Sequence, residues 1–286
     1  MTVADQDSRV VDAALGATCD PRAVLVSPPR TGSTAVARML WQHPAFRYHC
    51  HEPFEAMYWG DKGFESAADV LLNPMEVASG ARVPLGGGAG RGGLLIKEMS
   101  FQLTAEQFAY LADLATLPVV FVIRDPRLST TSRLRIVREL YDAPTFPPFE
   151  SGWPSLRDQV TACRARGVPH LLVDCDDLRA DPAGFALALQ EACGLPVRPG
   201  LHSWAPRPEL ALCSPEVGAL MSDARKADDP FYRRVLSSRG VQPVDRTDWD
   251  RESRLISDAG LTGHVESWSE IYFELRDDPA LVAPRR

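Results

Sequence analysis

Residues 24–40 read VLVSPPRTGSTAVARML, and the rest of the chain can be placed around them. The run from Ala23 to Val26 is apolar and rich in β-branched residues, the pattern of a short strand buried on both faces. Ser27 to Gly32 suits neither strand nor helix. Beyond it, Ala35, Val36, Met39 and Leu40 recur at helical spacing, with Ser33 and Thr34 in the first turn. A strand, a tight loop and a helix N-terminus together make an anion site, because the first amides of the helix lack partners and the helix dipole favours negative charge.

The loop departs from the nucleotide-binding pattern G-x-x-x-x-G-K-[ST], because Ser33 follows Gly32 where the lysine would stand. The cation stands earlier, as Arg30, whose guanidinium offers a fork of donors to phosphate or sulfate oxygens. Thr31, Ser33 and Thr34 add hydroxyls. The competing reading is an ordinary capped strand–helix turn.

Composition sets the bounds. The chain has 286 residues, 45% hydrophobic and 24% charged, as a soluble globular protein would. A net charge of -7 argues against nucleic acid as the main partner, while leaving room for a local basic groove. The six cysteines form no C-x-x-C pair, so neither a zinc site nor a secreted disulfide framework is expected. The polar N-terminus does not resemble a signal peptide, and no apolar run approaches the ~18 residues that would span a bilayer. These features predict a cytoplasmic protein without a membrane partner.

Further along, strands are expected at 46–50, 93–97, 117–123 and 170–174, and helices at 63–75, 104–115, after Pro126, near 155–166 and at 182–193. From Pro196 onward the pattern is mostly helical. Strand–helix alternation predicts an α/β fold, a P-loop-like parallel β-sheet flanked by helices on both faces, with a mainly helical C-terminal part. Residues 1–20 are expected as a tail or short surface helix. Residues 21–276 are expected as one domain, elaborated from about 197, and 277–286 as a second tail. Gly88, Gly90 and Gly93 match G-x-G-x-x-G only formally, since they precede a strand; the stretch 84–93 reads as a flexible loop. Residues 143–154, rich in proline and aromatics, read as a loop covering a site.

Arg124 closes the third predicted buried strand, and Ser132 follows eight residues later, about two turns into the next helix. An arginine and a hydroxyl so placed can clamp a second phosphate, remote from the first. Ser129 is expected to cap that helix.

These segments resemble a known family. SPPRTGST (27–34) resembles the 5′-phosphosulfate loop of sulfotransferases that use 3′-phosphoadenosine 5′-phosphosulfate (PAPS), in the form seen in carbohydrate and bacterial members. VIRDPRLSTTSR (122–133) resembles that family's 3′-phosphate motif. VDCDDLRADP (173–182) is similar to a third segment late in the fold, and QHPAFRYHCHEPF (42–54) to the region beside the acceptor. The C-terminal Arg-Lys-Gly loop of the cytosolic branch is not recognisable.

The resemblance implies sulfuryl transfer from PAPS to a hydroxyl of a small-molecule acceptor such as a sugar, phenol or natural product, with PAP as product. It implies donor binding by Arg30, Thr31, Gly32, Ser33, Thr34, Arg124 and Ser132, with Arg133 as a helper. No metal is implied, since a sulfuryl group carries less charge than a phosphoryl group. Catalysis would need cations and a base. Arg30 and Lys97, at the end of the GLLIK strand, would supply the cations. Met99 stands where the cytosolic branch places its histidine, so Glu52 is the expected base, with His51 and His49 in reserve. Acceptor contacts are expected from His51, Met57, Tyr58, Trp59 and the 143–154 loop. The alternatives are an ATP-dependent P-loop kinase, which would want the missing lysine, and a non-catalytic nucleotide-binding relative.

Overall fold

The computed structural model describes residues 3–60, 62–86, 89–220, 231–243 and 247–284. The strand that opens the anion loop, β1 (Cys19–Ser27), sits inside a six-stranded sheet. The others are β2 (Phe46–His51), β3 (Met75–Glu76), β4 (Gly92–Met99), β5 (Val119–Ile123) and β6 (His170–Asp174). Their order is β3-β2-β4-β1-β5-β6. Five run parallel, and β3 pairs antiparallel with β2 at the edge.

Alternation along the strands divides the core in two. Val24 and Val26 face one apolar cluster with Leu94, Ile96 and Phe121, while Ala23 and Leu25 face another with Leu95, Val120 and Val122. Phe121 is fully buried, and burying one such side chain contributes roughly 1.5–3 kcal/mol.

The second face is covered by α2 (Ser33–Trp41) and α9 (Pro182–Ala192). The first face carries α1 (Val3–Thr18), α4 (Phe64–Leu72), α5 (Ala105–Leu114), α6 (Pro126–Tyr141) and α7 (Trp153–Arg166). Short helices α3 (Glu55–Gly60) and α8 (Cys175–Ala180) follow β2 and β6. Beyond α9 come α10 (Pro215–Leu220), α11 (Arg233–Ser237), α12 (Trp249–Asp258) and α13 (Thr262–Arg276). The C-terminal part is therefore mainly helical in its elements, although residues 195–214 form an irregular connection.

Several expectations need adjustment. The N-terminal stretch is a 16-residue helix, and its Val11 and Leu15 are fully buried against the sheet cluster. The C-terminal stretch is fastened too, the Val282 amide donating to the Leu172 carbonyl at 2.9 Å. Residues of the expected linker from Gly92 onward belong to β4, and Gly88 lies outside the described residues. Ser129 does not cap α6. Asp125 does, its side chain accepting from the Arg127 amide, while the Ser129 hydroxyl donates to the Pro126 carbonyl at 3.1 Å.

Candidate active site

Parallel strands end at one edge, so β1, β2, β4, β5 and β6 deliver their following residues to the same side of the sheet. There they border a cavity of about 860 Å³. Its wall includes Arg30, Gly32, Ser33 and Thr34 after β1, Glu52 after β2, Met99 of β4, and Arg124 after β5.

The β1–α2 loop turns through two left-handed residues, Arg30 (φ 62°) and Gly32 (φ 87°). The Thr31 hydroxyl donates to the Pro28 carbonyl at 2.9 Å and the Ala35 amide to the Gly32 carbonyl at 2.9 Å, closing the loop on itself. Among the described residues no acceptor takes the amides of Gly32, Ser33 and Thr34. Three open amides stand at the start of a nine-residue helix, the kind of cradle in which anions bind.

Arg30 and Ser132, a hundred residues apart, meet beside this cradle. The Arg30 Nε donates to Ser132 Oγ at 3.2 Å, and its Nη1 donates to the Phe231 carbonyl at 3.0 Å. Arg124 lies on the same wall, with Nη1 donating to the Arg30 carbonyl at 3.4 Å. Its Nε is buried without a hydrogen-bond acceptor, and Asp176 Oδ1 stands 3.5 Å away as an ion-pair contact. Arg124 and Ser132, expected as a clamp, line the same cavity, and Ser132 is joined to Arg30. Arg133 also borders the cavity, where its guanidinium binds Glu150 and lies between the Phe101 and Phe146 rings, 5.3 and 4.5 Å from their centres. It fixes the 143–154 segment, which contributes Ala143, Thr145, Phe146, Pro147 and Glu150 to the cavity wall.

At the other end stands Glu52, itself left-handed (φ 50°) and 4% exposed. Its Oε1 takes the Lys97 ammonium, the Tyr232 hydroxyl at 3.0 Å, and an ion-pair contact from His51 Nε2 at 3.3 Å. Burial works to raise the carboxyl's pKa, but Lys97 and His51 outweigh it and hold the group well below the usual carboxylate range. Lys97 is not at a strand end. It lies two residues inside β4, fully buried, and is not among the residues of the cavity wall. The next residue, Glu98, faces the other way. Its carboxylate accepts the Phe54 amide at 2.9 Å and the Met99 amide at 2.7 Å, bracing the turn that carries Glu52. Burial, then the charge of Glu52, pushes its pKa well up.

Of the expected acceptor contacts, Trp59 lines the cavity and is 49% exposed. His51 lies behind Glu52, and Tyr58 packs edge-on against Trp59 and Phe101. Tyr232 and Arg38 escaped the sequence reading. Arg38 is 2% exposed and ties α2 to the C-terminal part, donating to the Leu236 carbonyl at 3.0 Å with Trp204 5.1 Å below its guanidinium. It thereby fixes the segment that brings in Tyr232. Neither residue shows a local signal, since their partners lie far along the chain.

No protein-family model and no curated protein matches the chain. Among solved structures it is similar to the sulfotransferase domain from the Synechococcus PCC 7002 olefin synthase, at 14% identity and a TM-score of 0.44, covering 86% of this chain and 95% of that one. It is also similar to mouse sulfotransferase SULT7A1 complexed with PAP, at 13% identity and a TM-score of 0.45, covering 93% of this chain and 95% of that one. No helix among the described residues is long and apolar enough to cross a membrane.

Proposed function

We propose that the chain is a sulfotransferase that moves a sulfuryl group from PAPS to a hydroxyl of a small molecule. The observation that carries this reading is the shared wall. An open-amide loop with Arg30, a second cationic point at Arg124, and a buried carboxylate at Glu52 all border one cavity. A kinase would want a loop lysine, and Ser33 occupies that position.

The residues present suit the donor. Among the described residues the amides of Gly32, Ser33 and Thr34 meet no acceptor, and the buried Arg124 Nε meets none either. Such groups are costly unless an anion completes them. The loop would hold the 5′-phosphosulfate, and Arg124 with Ser132 the 3′-phosphate. PAPS supplies an activated sulfuryl group. Arg30 and the loop amides offset the charge that grows on the departing phosphate. Glu52 takes the proton from the acceptor hydroxyl. Lys97, held on Glu52, keeps the carboxylate ionised and oriented. Trp59, Phe101 and Phe146 offer the acceptor an aromatic wall.

The test is calorimetric binding of PAP against ATP and ADP, on the wild type and on Arg124→Ala. The expected result is micromolar PAP binding, at least tenfold weaker in the variant by loss of about 1.4 kcal/mol or more. Tighter binding of ATP, or indifference to Arg124, overturns the reading.

A further inference from the structure

Strand alternation sets His49 and His51 on one side of β2, with ring centres 5.5 Å apart and Trp41 of α2 packed 4.5 Å from the His49 ring. His49 Nδ1 stands 3.1 Å from the Leu95 carbonyl of β4. A carbonyl oxygen only accepts, so this nitrogen carries the hydrogen. His49 is 1% exposed. Its burial, and then the neighbouring His51, keep its pKa well below the ordinary value, so the ring is neutral and Nε2 is bare.

That bare nitrogen lies 3.3 Å from His51 Nδ1, which must therefore be the N–H partner. The hydrogen on Nδ1 is thus committed, and His51 can gain or lose a proton only at Nε2. That atom lies 3.3 Å from Glu52 Oε1. Three groups crowd this one oxygen: Lys97 from β4, Tyr232 from the C-terminal segment, and His51 from β2. Oε2 takes no donor among the described residues, and Glu52 lines the cavity. Among the described residues, then, the carboxylate is held by one oxygen alone.

We propose that His51 is a positioning residue that governs how readily Glu52 accepts a proton, with His49 fixing Nε2 as the nitrogen that does so. With Nε2 protonated, Oε1 faces two cations and Oε2 is a poor base. With Nε2 deprotonated, Oε1 keeps one cation, Lys97, beside the Tyr232 hydroxyl and faces a lone pair, so the carboxylate draws a proton more strongly. In the transfer itself, the acceptor hydroxyl proton passes to Oε2 as its oxygen bonds to sulfur. The bond from sulfur to the phosphate oxygen breaks, and the phosphate leaves with the electron pair. Turnover therefore rises with pH as His51 Nε2 loses its proton. Among the described residues Lys97, His49, Glu52 and Tyr232 are titratable groups around the ring, and Arg82 acts on it through His49.

The catalytic consequence rests on the sulfotransferase reading, but the arrangement is tested without turnover or donor. Long-range nitrogen–proton NMR on the full-length labelled protein reports the histidine tautomers, and the side-chain carbon of Glu52 reports its surroundings. The expected spectrum shows neutral His51 with hydrogen on Nδ1, and a Glu52 signal that shifts in step with Nε2 titration. In His51→Gln that step disappears. In His49→Phe the fixed tautomer is lost, and hydrogen appears on Nε2. A wild-type His51 carrying its hydrogen on Nε2, or a Glu52 signal indifferent to His51 titration, overturns the proposal. Failure of PAP binding would sink the function and leave these signals unchanged.

Discussion

Glu52 is fastened to Lys97 twice: its amide donates to the Lys97 carbonyl at 2.7 Å, and its carboxylate takes the Lys97 ammonium. The first bond extends the β2–β4 ladder by one residue and holds Glu52 in its left-handed conformation, which costs a non-glycine residue of order 1–3 kcal/mol. The second places two charges out of water, with Lys97 fully buried. Removing one partner leaves the other charge stranded, so Lys97→Met should destabilise the protein by about 3–5 kcal/mol. The pair Lys97→Met/Glu52→Gln should recover most of that loss. A double-mutant cycle by urea unfolding checks this, and additive single effects would contradict it.

The same pair gives stability a definite pH dependence. The folded-state pKa of Glu52 is depressed, so its contribution is fully present above the unfolded value of about 4.3 and is lost as pH falls toward the folded value. Below about pH 4.3 the wild type should lose roughly 1.4 kcal/mol per pH unit more than Lys97→Met/Glu52→Gln. Urea curves collected from neutral pH down to about 3 measure this difference. Parallel stability profiles for the two proteins would refute it.

How much of this was legible in the sequence depended on the range of the contacts. The strand–loop–helix at 24–40 is local, and every element of it stands where its spacing puts it. Arg124 and Glu52 were legible because each directly follows a buried strand, and parallel strands share one edge. Lys97 was placed correctly on β4, but GLLIK gives no sign that the strand continues to Met99 and turns the ammonium inward. Two-residue β3 is too short to show a period. Tyr232 reaches Glu52 across 180 residues, and Arg38 reaches Leu236 across 198, distances over which periodicity carries no information. The histidine pair was seen as a cluster; its order emerged only with the register of β2 against β4.

Another buried carboxylate anchors the far end of the sheet. Asp174, at the end of β6, is fully buried and accepts from the Tyr272 hydroxyl at 2.7 Å, from Arg276 at 2.6 Å and from the Asp176 amide at 2.8 Å. The bonds tie α13 to the strand edge that bears Asp176, the partner of Arg124. Tyr272→Phe removes one donor to a buried charge and should cost about 1.5–3 kcal/mol in thermal or urea unfolding. PAP affinity should stay within about twofold of wild type, because Arg276 still holds Asp174. A larger fall in affinity than in stability would show that α13 acts directly on the donor site.

Gly32 carries the tightest constraint on the anion loop. Its φ of 87° favours glycine, and a Cβ there would stand 2.4 Å from Sγ of Cys175, the first residue of α8. Two separate costs follow for Gly32→Ala: left-handed strain of roughly 1–2 kcal/mol and a collision between the β1 and β6 edges. Trimming the thiol in Gly32→Ala/Cys175→Gly removes the collision and leaves the strain. The single variant should therefore lose anion binding, and the double should regain part of it while remaining less stable than wild type. Calorimetry with PAP, paired with urea unfolding, separates the two costs. Full recovery in the double would mean that the loop tolerates a right-handed residue at position 32, and the open amides would then not depend on the glycine turn.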